Sequence, residues 1–126
     1  GAERDDDVGS RFDMARIERP MLERAWAVLV HTARNRETIS YGVLGREIGY
    51  PNIPRRIVGE IVAPISRQVC EPYDFPDIAA LVVRKDTGYP GIGYFHVTGG
   101  VIDLDFWQER LEETWAFKWP KRMPRM

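Results

Sequence analysis

Two adjacent arginines, Arg55 and Arg56, follow the turn Gly49-Tyr50-Pro51-Asn52 and open a stretch in which Ile57, Val58, Ile61 and Val62 recur at helical spacing. A helix that buries this apolar stripe turns both guanidiniums toward solvent, where they suit a phosphate or another anion. Tyr41 stands at the start of the preceding helical stretch. There its hydroxyl can donate to a phosphate beside the unpaired amides of the first turn. Arg46 on the same stretch and Lys85 in a later turn add positive charge. The nucleic-acid-binding candidates are therefore Tyr41, Arg46, Arg55, Arg56 and Lys85.

Other residue types give less chemistry. His96, between Phe95 and Val97, could act as a base with Asp74, Asp77 or Asp86. Cys70 is the one cysteine, has no histidine near it in sequence, and reads as a buried thiol rather than a nucleophile. One cysteine and two histidines make a zinc site improbable, and no cofactor or metal is expected. Asp103 and Asp105 are explained by capping of the last helix. Tyr73, Phe75, Tyr89 and Trp119 are candidate contacts for a partner, with the aromatic group around the strands able to stack on bases or to cover a sheet.

The chain of 126 residues has a net charge of −1 and 44% hydrophobic residues, enough for one domain with its own core. The near-neutral total hides segregation. Residues 1–13 hold five acids against two arginines, residues 34–67 six arginines against three glutamates, and residues 118–126 four basic residues and no acid. A local basic patch can attract an anionic polymer in spite of a neutral total. The opening residues lack the apolar stretch of a secretory signal, and no run reaches the roughly 18 apolar residues of a membrane span. A cytoplasmic protein without membrane contact is expected.

These candidates need elements to hold them. Residues 1–13 read as a disordered acidic lead, residues 14–117 as one domain, and residues 118–126 as a basic tail. A first helix starts near Pro20 and buries Leu22, Ala25, Trp26, Leu29 and Val30 before ending near Asn35. Ser40 can cap a second helix that Gly49 ends. The third helix carries the arginine pair, and Pro64 should kink it ahead of a further turn through Ile65, Val69 and Cys70. Ile78 to Val83, apolar on both faces, reads as a covered strand, and Gly93 to Val97 as its return strand after the bends at Lys85–Gly88 and Tyr89–Gly91. A last helix carries Phe106, Trp107, Leu111 and Trp115. The expected fold is α+β and winged-helix-like: three helices, a β-hairpin and a C-terminal helix, with the second and third helices as a helix-turn-helix.

The stretch from Trp26 to Phe95 resembles the C-terminal DNA-binding domain of the alkylguanine-DNA alkyltransferases and the alkyltransferase-like proteins. The residues that carry the likeness are Ile39-Ser40-Tyr41-Gly42-Val43-Leu44, Ile48-Gly49, Pro51, Arg55-Arg56-Ile57-Val58-Gly59 and Ala63-Pro64. The resemblance implies that Tyr41 contacts a backbone phosphate and that Arg56 fills the gap left by a flipped base. The family's reactive proline-cysteine-histidine-arginine segment falls on Ile78 to Val83, which holds no cysteine. Alkyl transfer needs an activated thiolate, so the resemblance implies DNA binding without catalysis. Two alternatives stand beside it. One is a protein-interaction module from a defence, counter-defence or mobile-element setting that binds one protein partner. The other is a small hydrolase or nuclease using His96.

Overall fold

The computed structural model describes residues 17–126. The expected acidic lead at residues 1–13 lies outside the described residues. Four α-helices occur among the described residues: α1 Arg19–Arg34, α2 Tyr41–Glu47, α3 Arg55–Ile65 and α4 Leu104–Ala116. None is long and apolar enough to cross a membrane.

Local chemistry accounts for the helix boundaries. Pro20 lies in the first turn of α1, where its missing N–H costs nothing. Ser40 accepts the Val43 amide at 3.2 Å and caps α2. Gly49, at φ +103°, takes the left-handed conformation that ends it. Asp103 caps α4 by accepting the Phe106 amide at 3.0 Å. Pro64 sits inside α3 without ending it. The chain continues past it into a π-helical turn at Ser66–Cys70, where the Glu71 amide donates to the Ser66 carbonyl at 3.0 Å.

The expected winged-helix arrangement, with its helix-turn-helix and alkyltransferase-like topology, is not what forms. Among the described residues there is no β-hairpin. The two strands are β1, Ile39–Ser40, and β2, Val82–Val83, and they pair in parallel with Ile39 opposite Val82 and Ser40 opposite Val83. They lie far apart in sequence, so the sheet joins the entry of α2 to the segment after α3. Ile78–Leu81 is a 3-10 turn rather than a strand, started by the Asp77 carboxylate accepting the Ala79 amide at 2.9 Å. The expected return strand is also helical, a 3-10 segment at Ile92–Thr98 closed by Gly99 at φ +74°. Thr98 turns its hydroxyl back onto the Phe95 carbonyl at 2.8 Å and secures that closure. With β1 beside β2, the molecule is mainly helical with one short parallel pair.

The core gathers Trp26 and Leu29 of α1, Val58, Ile61 and Ile65 of α3, and Ile78, Leu81 and Phe95 from the short turns, all nearly excluded from water. Each of the four tryptophans donates its indole N–H to a main-chain carbonyl: Trp26 to Pro120, Trp107 to Ala80, Trp115 to Glu37 and Trp119 to Thr114. Bulky rings are thereby buried without leaving a donor unpaired. The stretch expected as a basic tail belongs to this packing. Trp119 and Met123 are buried, Arg34 donates to the Trp119 carbonyl, and Arg19 donates to that of Met123.

Candidate functional site

A depression of the described surface rimmed by arginines lies where α3, the Ile78–Leu81 turn and the Ile92–Thr98 segment meet. It has a volume of about 430 Å³, inside the range of about 300–1,000 Å³ usual for small-molecule sites.

One wall is a single face of α3 and its π-helical extension. Arg56, Gly59, Ala63 and Arg67 follow one another at helical steps of three or four residues, and they line the cavity together with Glu60. The small side chains of Gly59 and Ala63 leave the space, and the arginines stand at its ends. Arg55 and Arg84 join the rim, so four arginines face Glu60 and Asp77. Among the described residues no ion pair holds Arg55, Arg56 or Arg67. Arg84 differs: it grips Asp86 through two nitrogens, at 2.9 and 2.6 Å. That hydrogen-bonded pairing holds the Asp86 carboxyl below its usual range, and the charge of Arg55 adds to the effect. It also raises the Arg84 guanidinium.

Tyr41, from the first turn of α2, forms the opposite edge. Its hydroxyl accepts the Gly91 amide at 3.2 Å, which leaves its proton free to be donated.

Asp77, Ala79 and Tyr94 also line the cavity. Asp77 Oδ1 accepts both the Ser66 hydroxyl, at 2.8 Å, and the Ala79 amide. α4 anchors this turn from behind. Trp107 donates to the Ala80 carbonyl at 2.9 Å, and the Thr114 hydroxyl lies between the Arg110 carbonyl at 2.7 Å and the Asp77 carbonyl at 3.2 Å. The Tyr94 hydroxyl is shielded from water and has no hydrogen-bond partner. Burial pushes its pKa well up, and the nearby Asp77 charge pushes in the same direction.

Of the residues expected from sequence to bind nucleic acid, the fold brings Tyr41, Arg55 and Arg56 together and leaves two apart. Arg46 is exposed on α2 and Lys85 is exposed in the turn after β2, and neither lines the cavity. The expected partner contacts lie elsewhere too. Tyr73 is exposed and packs on Phe75, their ring centroids 5.6 Å apart. Phe75 packs in turn on Phe117 and Trp119. Trp119 is only 3% exposed, so it serves the chain's own core and offers no surface to a partner. Tyr89 is half-buried, and its carbonyl accepts the Arg84 amide at 2.8 Å to close the turn beside the rim.

His96 lines the cavity and is exposed, with its Nδ1 3.3 Å from the Gly93 carbonyl rather than beside a carboxylate. Donation to that carbonyl would place the ring's lone pair on Nε2. Cys70 lies outside the cavity lining, and burial pushes its thiol up to about 12 against an opposing backbone hydrogen bond from Ile78. Among the described residues no cluster of three or more histidines, cysteines or carboxylates could hold a metal ion.

Arg67 and Ser66 are site residues that sequence reasoning passed over, whereas Tyr94 belongs to the aromatic group read as able to line a cleft. A signal for Arg67 was present. It stands eleven residues after Arg56, about three helical turns at 3.6 residues per turn, with Gly59 and Ala63 between them on the same face.

No protein-family model matches this chain, and no curated protein or solved structure matches it at a significant level.

Proposed function

We propose that this chain binds DNA without performing chemistry on it, holding phosphates on the arginine rim of the α3 cavity. The observation that carries the reading is the set Arg55, Arg56 and Arg67 around one open depression, none of them in an ion pair among the described residues. Guanidiniums without internal carboxylate partners retain their donors for phosphate oxygens. Tyr41 and Arg56, to which the resemblance assigned a phosphate contact and a place in the duplex, converge on this cavity from different helices. That convergence supports the reading without help from the expected topology.

The direct test is fluorescence anisotropy with duplex and single-stranded oligonucleotides at two salt concentrations. Binding should weaken steeply with salt and show little dependence on sequence, as phosphate contacts dictate. Absence of binding to either form at low salt would overturn the proposal.

A second reading, a module that docks on one protein, is favoured by a different feature. Ile92, Val97, Val101, Ile102 and Leu104 are exposed along one stretch of chain, and clustered surface apolar groups mark contact sites. Val97→Ser with Val101→Ser separates the two. It should leave DNA binding intact under the first reading and abolish capture of a partner under the second.

A further inference from the structure

We infer that the arginine-rimmed cavity is a trough that takes one separated strand of DNA in preference to the duplex, which rests on the DNA-binding reading and names the form of DNA held. One helix face sets its length. Arg56, Gly59, Ala63 and Arg67 line the cavity at successive turns, so it runs along α3 and the π-helical extension for about 16 Å at 1.5 Å per residue. Spread over that length, a volume of about 430 Å³ leaves a cross-section of roughly 27 Å², about 5 Å on a side. Ala79 of the Ile78–Leu81 turn, and Ile92, Gly93 and His96 of the Ile92–Thr98 segment, supply further walls. A double helix, whose narrower groove alone is about 6 Å across, cannot lie along such a trough. It can rest one edge of its backbone on the exposed guanidiniums from outside. A lone strand can lie within and touch floor as well as rim.

The floor carries a glycine that the fold does not require. Gly59 lies inside α3 with an ordinary helical backbone, and a Cβ there would meet nothing within 4 Å. Neither crowding nor conformation therefore excludes a side chain, and glycine weakens a helix relative to alanine. What its absent side chain preserves is the open trough. Charge grips a strand at two places. Arg55 and Arg56 stand toward one end and Arg67 at the other, while Glu60 between them on α3 disfavours a phosphate at mid-trough. At the 3.4 Å per nucleotide of a stacked strand, the trough spans roughly five nucleotides, and fewer of an extended one.

The experiment measures anisotropy of the full chain, at one low salt concentration, with 3′-labelled oligothymidylates of two to twelve nucleotides and with a blunt duplex of twelve base pairs. We expect the twelve-nucleotide strand to bind about tenfold or more tightly than the duplex, the size of one lost hydrogen bond between a guanidinium and a phosphate. Affinity should climb with strand length to roughly five nucleotides and beyond that only as the number of binding registers grows. Gly59→Leu keeps every charge and puts its side chain where a Cβ has room. It should bring the strand down to the affinity of the duplex.

Equal or tighter binding of the duplex by the unaltered chain overturns the inference and leaves the DNA-binding reading standing. A gain per nucleotide that continues undiminished to twelve places the strand outside the trough and overturns it as well, as does a folded Gly59→Leu chain with its strand preference intact. Absence of binding to strand and duplex alike removes the DNA-binding reading and the inference with it. The strand-to-duplex contrast and the length series use the unaltered chain, so they decide the matter should Gly59→Leu fail to fold.

Discussion

Neutralising the three rim arginines stepwise gives a quantitative test of the phosphate contacts. Arg55, Arg56 and Arg67 are exposed at the cavity rim without an ion-pair partner among the described residues, whereas Arg84 is occupied by Asp86. If each free guanidinium neutralises one phosphate, the slope of log K against log salt on duplex DNA is about −0.9 × 3, or roughly −2.7. Raising salt fourfold, from about 50 to 200 mM, should then weaken binding about 40-fold. Arg67→Gln should reduce the slope to about −1.8 and the loss over the same range to about 12-fold, and Arg55→Gln with Arg56→Gln should leave a slope of about −0.9 and a loss of only about 3.5-fold. Glutamine retains much of the length and polarity, and these exposed positions carry little of the core. Thermal unfolding of each variant should therefore stay close to that of the parent. Anisotropy at five salt concentrations provides the slopes. A slope that stays near its starting value in the double variant would refute the assignment of phosphates to this rim, whatever the absolute affinity. The same flat response in Arg46→Gln is required, because Arg46 lies off the cavity.

Four further outcomes follow from the geometry. Asp86→Asn removes the carboxylate that holds Arg84, so duplex binding should gain about one phosphate contact and the salt slope should steepen by about 0.9, measured in the same assay. Gly45→Ala places a Cβ 2.7 Å from Ile53 Cγ2 and 3.3 Å from both the Tyr50 carbonyl and Val58 Cγ2, between α2 and α3; overpacking of this kind costs about 1–3 kcal/mol, to be read by chemical denaturation, and an unchanged midpoint would count against the close approach. Trp107→Phe strands the Ala80 carbonyl inside the core and should cost about 1–3 kcal/mol while loosening the turn that carries Asp77, visible as faster amide exchange at residues 78–81. For Cys70, burial raises the folded thiol pKa to about 12 from an unfolded value of about 8.5. The stabilisation tied to the neutral thiol is complete below the unfolded value and is lost as pH rises through the folded one, so stability should fall between about pH 8.5 and 12. Cys70→Ser should flatten that fall, and the native chain should resist thiol reagents near pH 8 until it unfolds.

Much of the helical framework was legible because its signals are local. The apolar spacing of Leu22, Trp26 and Leu29 marks α1, the Ser40 hydroxyl marks the start of α2, Gly49 its end, and Asp103 the start of α4. Each works within one or two turns of chain. Tyr41, Arg55 and Arg56 were readable as surface polar groups at helix starts for the same reason. Arg46 and Lys85 carried the same charge signal. Charge alone does not say which way an exposed side chain looks, and both stand off the cavity.

The stretches that misled were those whose conformation depends on distant partners. Ile78 to Val83 is apolar throughout, a pattern that a buried strand and a buried helical turn share. Asp77 capping the Ala79 amide, and Trp107 holding the Ala80 carbonyl, decide for the turn. Gly93 to Val97 follows two bends as a return strand would, but β2 pairs in parallel with β1 and the segment coils instead. Trp119 resembled a surface aromatic in a basic tail until its ring met Trp26 edge-on at 5.6 Å.

The amino-acid order by itself determined where the helices run, which faces they bury and that one of them presents a pair of arginines, because hydrogen bonds and apolar spacing within a few residues suffice for that. Tertiary structure alone decided that Arg67, Asp77 and Tyr94 share a cavity with Tyr41 and Arg56. That fact depends on groups brought together across up to 53 positions of sequence, and packing is what joins them.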